Sequence, residues 1–163
     1  MNEVTGELGQ QLVIFVLGRQ RFAVSLHSVI RVVAAAQWTW LPDAPEVVLG
    51  IIDFHGQIIP LVDPRRGLRR STSDVSVADE FIIVHTGRRT IALLVNRTVG
   101  VVVRNITPLS RACLSEAGCS QYTGTVTMDD ELVLIHDIER FLSIEELHAL
   151  DEALKEHMLE DAR

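Results

Sequence analysis

The sequence predicts a mainly β protein made of two related small β subdomains and one C-terminal helix. Three observations carry this. The apolar runs are strand-sized and rich in Val and Ile: Gln11 to Leu17, Phe81 to Val84 and Val99 to Val103. The chain echoes itself twice, in the same order. Its last twenty residues hold an apolar stripe at helical spacing behind a capping signal. With 163 residues and 47% apolar composition, the chain can bury a sizeable core, which argues against general disorder.

The first echo sets Gly18 to Leu26 (GRQRFAVSL) against Gly87 to Val95 (GRRTIALLV). Phe22, Val24 and Leu26 fall on Ile91, Leu93 and Val95, alternating as one face of a strand does. An apolar run precedes each segment, so each half opens as strand, tight turn, strand. The second echo sets Gly50 to Leu68 against Gly124 to Leu142, aligning Gly50 with Gly124 and Asp63 with Asp137. Both read as a hairpin followed by an acidic helix start, with turns near Phe54-His55-Gly56 and Met128-Asp129-Asp130. These repeats divide the chain into subdomain 1 (8–70), subdomain 2 (71–142) and a helical tail (143–163), with the boundary in the polar stretch Arg69 to Asp74.

Helices are few. Leu26 to Val33 places Leu26, Val29, Ile30 and Val33 on one side and reads as a short helix. Ser143 and Glu146 make a capping-box pattern; Ile144, Leu147, Leu150, Leu154 and Met158 form the stripe that docks the tail onto a subdomain. Trp38 and Trp40 flank Thr39 and share one face if extended, with core packing the default reading and an exposed protein-binding patch the rival.

Charge and motifs narrow the function. The formal charge is −7, so duplex DNA would repel the surface unless a local basic patch dominated. Arg65-Arg66-Gly67-Leu68-Arg69-Arg70 is the strongest such patch; it reads first as a solvated turn, and second as a grip for phosphate, which keeps a nucleic-acid-binding barrel as a remote alternative. Cys113 and Cys119 match no common zinc spacing, and His148 and His157 stand poorly for a shared metal on one helix face. No nucleophile elbow, phosphate loop or dinucleotide fingerprint occurs. No catalytic residue, cofactor or metal is therefore expected. No run approaches the roughly 20 apolar residues of a membrane helix, and the acidic N-terminal residues Glu3 and Glu7 lack a secretion pattern, so a cytoplasmic protein without membrane insertion is expected.

Gly50 to Asp63 (GIIDFHGQIIPLVD) resembles the signature of CheW-like domains, G-V-x-N-L-R-G-x-x-x-P-[VI]-x-D, with Gly50, Gly56, Pro60 and Asp63 in place. Phe15 to Leu26, Leu41 to Pro45, and Tyr122 to Leu142 with its Asp137-Ile138-Glu139, resemble other segments of that family. The resemblance spans about residues 10 to 160 and implies two five-stranded SH3-like barrels without catalysis. It also implies an adaptor coupling the regulatory domain of a CheA-type histidine kinase to the cytoplasmic tip of chemoreceptors, in a chemotaxis or pilus-motility pathway. The receptor-side patch it marks is Val29, Arg31, Asp53, His55 and Gly56. Two positions depart from the pattern: Arg31 stands where the family has glutamate, and His55 where it has arginine. A CheW-like protein serving another partner through this face is the alternative reading. The sequence leaves homo-oligomerisation open.

Overall fold

Two of the three apolar runs, at Leu12 to Leu17 and Phe81 to Val84, become strands buried on both faces, whereas the third, Val99 to Val103, lies on a largely exposed edge strand. The computed structural model describes residues 9–64, 75–109, 121–140 and 142–161. The first half contains β1 (Gln10–Leu17), β2 (Gln20–Ser25), β3 (Val29–Ala34), β4 (Thr39–Trp40), β5 (Val48–Phe54) and β6 (Gln57–Val62). The second contains β7 (Glu80–His85), β8 (Thr90–Val95), β9 (Arg97–Arg104), β10 (Thr107–Pro108), β11 (Tyr122–Met128) and β12 (Glu131–His136), followed by helix α1 (Ile144–Asp161). Arg65 to Arg70, the polar boundary stretch and both cysteines lie outside the described residues.

Two six-stranded sheets form, in the orders β10-β11-β12-β2-β1-β9 and β3-β7-β8-β6-β5-β4. In each, five longer strands are joined by a two-residue edge strand, β10 or β4. The strands are not shared out in the consecutive blocks 8–70 and 71–142. Hairpin β1–β2 from the first half joins β9 to β12, and hairpin β7–β8 from the second half joins β3 to β6. The exchange follows from the connections. A 3-10 turn at Leu26–Ser28 carries the chain from β2 off the first sheet, and Asn96 alone carries it from β8 back. Each hairpin is then fixed by a parallel pairing to the other half: Phe22 with Leu134 in one sheet, Leu61 with Ala92 in the other.

The repeat extends to single atoms. Gly50 and Gly124 both sit at bulges, against the carbonyls of Thr39 and Thr107 on the short edge strands. A Cβ on Gly124 would stand 2.7 Å from that carbonyl oxygen and 2.6 Å from Ile106, and one on Gly50 would stand 2.8 Å from the Trp38 ring. The amides of Asp63 and Asp137 donate to the carbonyls of Val47 and Gln121, at 2.9 and 2.8 Å.

Alternation along the central hairpins builds three cores. Leu12, Ile14 and Ala23 face a small core inside the first sheet, and Phe81, Ile83, Ala92 and Leu94 face one inside the second. The intervening residues, Val13, Phe15, Phe22 and Val24 on one side and Ile82, Val84, Ile91 and Leu93 on the other, meet in a central core between the sheets. Residues on both faces of these strands are thus removed from water, which is why they read as continuous apolar runs.

Three local expectations change. Val29 to Val33 is strand, not helix: its β-branched residues pair with β7, and a bulge at Ile30 breaks the two-residue period and mimics a helical one. Trp38 packs against the second sheet's core, whereas Trp40 is exposed. The helix starts as predicted, the Ser143 hydroxyl accepting from the Glu146 amide at 3.1 Å. It docks through Leu147, Leu150, Ala153 and Leu154. Ile144 and Met158, at the ends of the expected stripe, are exposed. The Arg89 guanidinium, which donates to Asp151, ties the helix to the β7–β8 hairpin.

Candidate partner-binding site

The bulge in β3 and the turn between β5 and β6 bring four of the five patch residues together. His55 and Gly56 occupy the centre of a two-residue hairpin, both with positive φ (51° and 83°), the geometry whose twist suits adjacent strands. The Asp53 carboxylate accepts from the Gly56 amide at 2.8 Å and closes the turn. Phe54 anchors it, packing on the second sheet's core and meeting the His55 ring edge-on at 4.4 Å. From β3, the Arg31 guanidinium reaches His55 Nε2 at 3.4 Å. Both side chains are exposed.

Val29 lies on the same strand as Arg31 but on the far side of the bulge. It is half-buried, packs against the central core and pairs with Val84. Its side chain is therefore divided between the central core and the surface. The apolar surface beside the charged pair comes instead from Ile30, extruded by the bulge and 51% exposed, and Ile58, opposite Asp53 and 49% exposed. Sequence reasoning missed both. Neither carries a signal in the sequence: Ile58 belongs to an apolar run whose remaining residues are buried, and the exposure of Ile30 depends on the bulge.

The pseudo-equivalent turn of the first sheet, between β11 and β12, shows what the fold itself requires. Asp129 and Asp130 hold the two positive-φ positions there (49° and 62°), and Arg21 lies 3.4 Å from Asp129. In the strand equivalent to β3, Gly100 follows the bulge where Arg31 does in β3. The turn and the bulge thus form without arginine or histidine. Other exposed apolar surface lies on the edge strand β9, where Val99, Val101 and Val103 face solvent.

Fold and site define a mainly β protein of two interleaved, pseudo-repeated sheets with an exposed turn-and-edge face. A family model for the CheW-like domain matches residues 11–146, and the chain belongs to that family. The chemotaxis protein CheW of Klebsiella aerogenes is 24% identical over 162 residues, 96% of each chain. That of Rhizobium meliloti is 25% identical over 144 residues, 86% of this chain and 92% of the relative. The crystal structure of scaffolding protein TtCheW from Thermoanaerobacter tengcongensis superposes with a TM-score of 0.75 at 22% identity, covering 85% of this chain and 96% of that one. Among the described residues, no helix is long and apolar enough to cross a membrane.

Proposed function

We propose that the protein is a non-enzymatic cytoplasmic adaptor that holds a CheA-type histidine kinase against chemoreceptors in a chemosensory pathway. The observation that carries this reading is the family match across 11–146, which covers both interleaved sheets. The surface suits the role. A scaffold needs several separate contact faces, and the exposed turn at His55, the β9 edge and Trp40 supply apolar and polar surface at different places on the two sheets. The receptor face comprises Val29, Arg31, Asp53, His55 and Gly56, with Ile30 and Ile58 beside them. The kinase's regulatory domain docks elsewhere, on strand edges. To pass a signal, such an adaptor binds two kinase states unequally; about 1–3 kcal/mol of coupling suffices.

Calorimetry with the regulatory domain of the kinase encoded in the same genome tests the reading. A saturable one-to-one complex at micromolar concentration supports it, and absence of heat and of co-elution removes it. A second reading is favoured by the contact between Arg31 and His55: the same face serves a different partner, with kinase binding retained. Kinase binding together with no affinity for any receptor of the genome selects that reading.

A further inference from the structure

The pairing of Arg31 with His55 is not explained by the fold. The equivalent turn in the other sheet carries Asp129 and Asp130 at the same pair of positive-φ positions, and the equivalent bulge forms with Gly100, at φ 154°, in the place of Arg31. Neither basic side chain is buried, and Arg31 contacts no carboxylate among the described residues; its recorded partner is the His55 ring. The guanidinium donates to the imidazole nitrogen at 3.4 Å, which leaves its remaining N–H groups facing solvent on the surface of a chain whose formal charge is −7. The one carboxylate of the patch, Asp53, is turned toward the Gly56 amide. The guanidinium offers a planar fork suited to a carboxylate, and the imidazole offers a second donor beside it. Ile30, next to Arg31 in β3, and Ile58, opposite Asp53 in β6, expose apolar surface.

We infer that Arg31 and His55 form a carboxylate-binding pair, and that the partner segment docking on this face carries an Asp or Glu flanked by apolar side chains. The inference rests on the adaptor reading for the existence of a partner here, and adds its chemistry. The acidic group bridges Arg31 and His55, and its apolar neighbours cover Ile30 and Ile58. The face is thereby selective for an acidic segment, and a glutamate at 31 would repel it.

The test uses the full chain and purified cytoplasmic hairpin tips of the chemoreceptors encoded in the same genome, with fluorescence anisotropy at low and high salt. Three variants are compared: Arg31→Glu, Arg31→Lys and His55→Asp. Aspartate is chosen at 55 because Asp129 occupies the equivalent positive-φ position, so the turn survives. Melting temperature and kinase-domain binding serve as controls. The expected result is a hairpin that binds the unaltered chain, loses about tenfold or more in affinity with Arg31→Glu, and less with Arg31→Lys. His55→Asp also weakens it, and added salt weakens the unaltered chain more than Arg31→Glu. Mutating the hairpin's acidic residue to Lys restores affinity for Arg31→Glu. Equal or tighter binding by Arg31→Glu or His55→Asp overturns the inference and leaves the adaptor reading standing; a kinase domain that binds while no hairpin does also overturns it, and selects the reading in which a different partner uses this face. Failure of the kinase domain to bind removes both.

Discussion

His136 gives the fold a pH dependence that can be worked out from its surroundings. It ends β12 with 3% of its surface exposed, its ring 5.0 Å from Phe22, 4.9 Å from Tyr122 and 5.9 Å from Phe15. Burial disfavours the imidazolium and lowers its pKa from 6.5 to about 4. Of the carboxylates that follow it in the chain, Asp137 lies 3.4 Å from Arg140, and Glu139 accepts from the Gly87 amide at 2.6 Å. In the unfolded chain the ring takes up a proton near pH 6.5, and in the folded protein only near pH 4. Between those values the unfolded state binds more protons, so acid favours unfolding. The stability present above pH 6.5 falls through this window and levels off below pH 4. At 1.36 kcal/mol per pKa unit the full loss is about 3 kcal/mol, of which about 2 kcal/mol is gone by about pH 5. Urea unfolding of the unaltered protein, His136→Phe and His136→Gln between about pH 7.5 and pH 5 isolates this contribution, because the other titrating groups cancel in the difference. Both variants should lose stability more slowly with acid, gaining about 2 kcal/mol on the unaltered chain across that range, whatever their stability at neutral pH. A difference that stays constant with pH would refute the assigned cause.

Other perturbations test the architecture. Gly50→Ala and Gly124→Ala each force a methyl against an edge-strand carbonyl, and should lower stability in chemical denaturation by about 1–3 kcal/mol, with comparable losses at the two sites if the repeat is structural. Asn96→Ala removes the acceptor of the Gly18 amide at 2.6 Å and a donor to Asp79 at 3.3 Å; about 1–3 kcal/mol should be lost, with hydrogen exchange speeding up first around the β1–β2 turn. Ser143→Ala removes the cap of α1 and should cost about 1 kcal/mol, read as a lower melting temperature with unchanged strand signal in circular dichroism.

Much of this structure was legible, and the parts that were not share a cause. The echo of Gly18 to Leu26 in Gly87 to Val95 identified two real hairpins, because alternation and turn glycines are local properties. The second echo located the β5–β6 and β11–β12 hairpins for the same reason. Nothing local says that Phe22, paired with Phe15 on one side, takes Leu134 on the other and not a second residue of its own half, so the exchange between halves was invisible. The misread helix at Leu26 to Val33 has the same origin: Ile30 is extruded because Val29 and Arg31 take consecutive partners Val84 and Ile83 on a strand from the other half. At the candidate site, Asp53, His55 and Gly56 were legible as a turn. The contact between Arg31 and His55 was suggested only by resemblance, since it spans two distant strands. Val29 was placed outward by the same resemblance, and its packing against the central core shows that its role is at least half structural.

The interleaving constrains how such a protein can carry information. Without the second half, hairpin β1–β2 lacks both of its strand neighbours, β9 and β12; without the first, hairpin β7–β8 lacks β3 and β6. Neither half can bury its own apolar hairpin, so neither sheet is an independent folding unit, and the central core joins residues from both sheets and the helix. The chain crosses between sheets at Leu26–Ser28 and again at Asn96, which is held by the Val16 carbonyl, the Gly18 amide and Asp79. A hinge between the sheets would have to break these bonds and open the central core. Because packed interiors resist continuous deformation, the two sheets act as one rigid body. Two partners bound at separate faces of such a body would be held at a fixed relative orientation. Any signal passing between them is a change in which orientations the partners themselves can adopt.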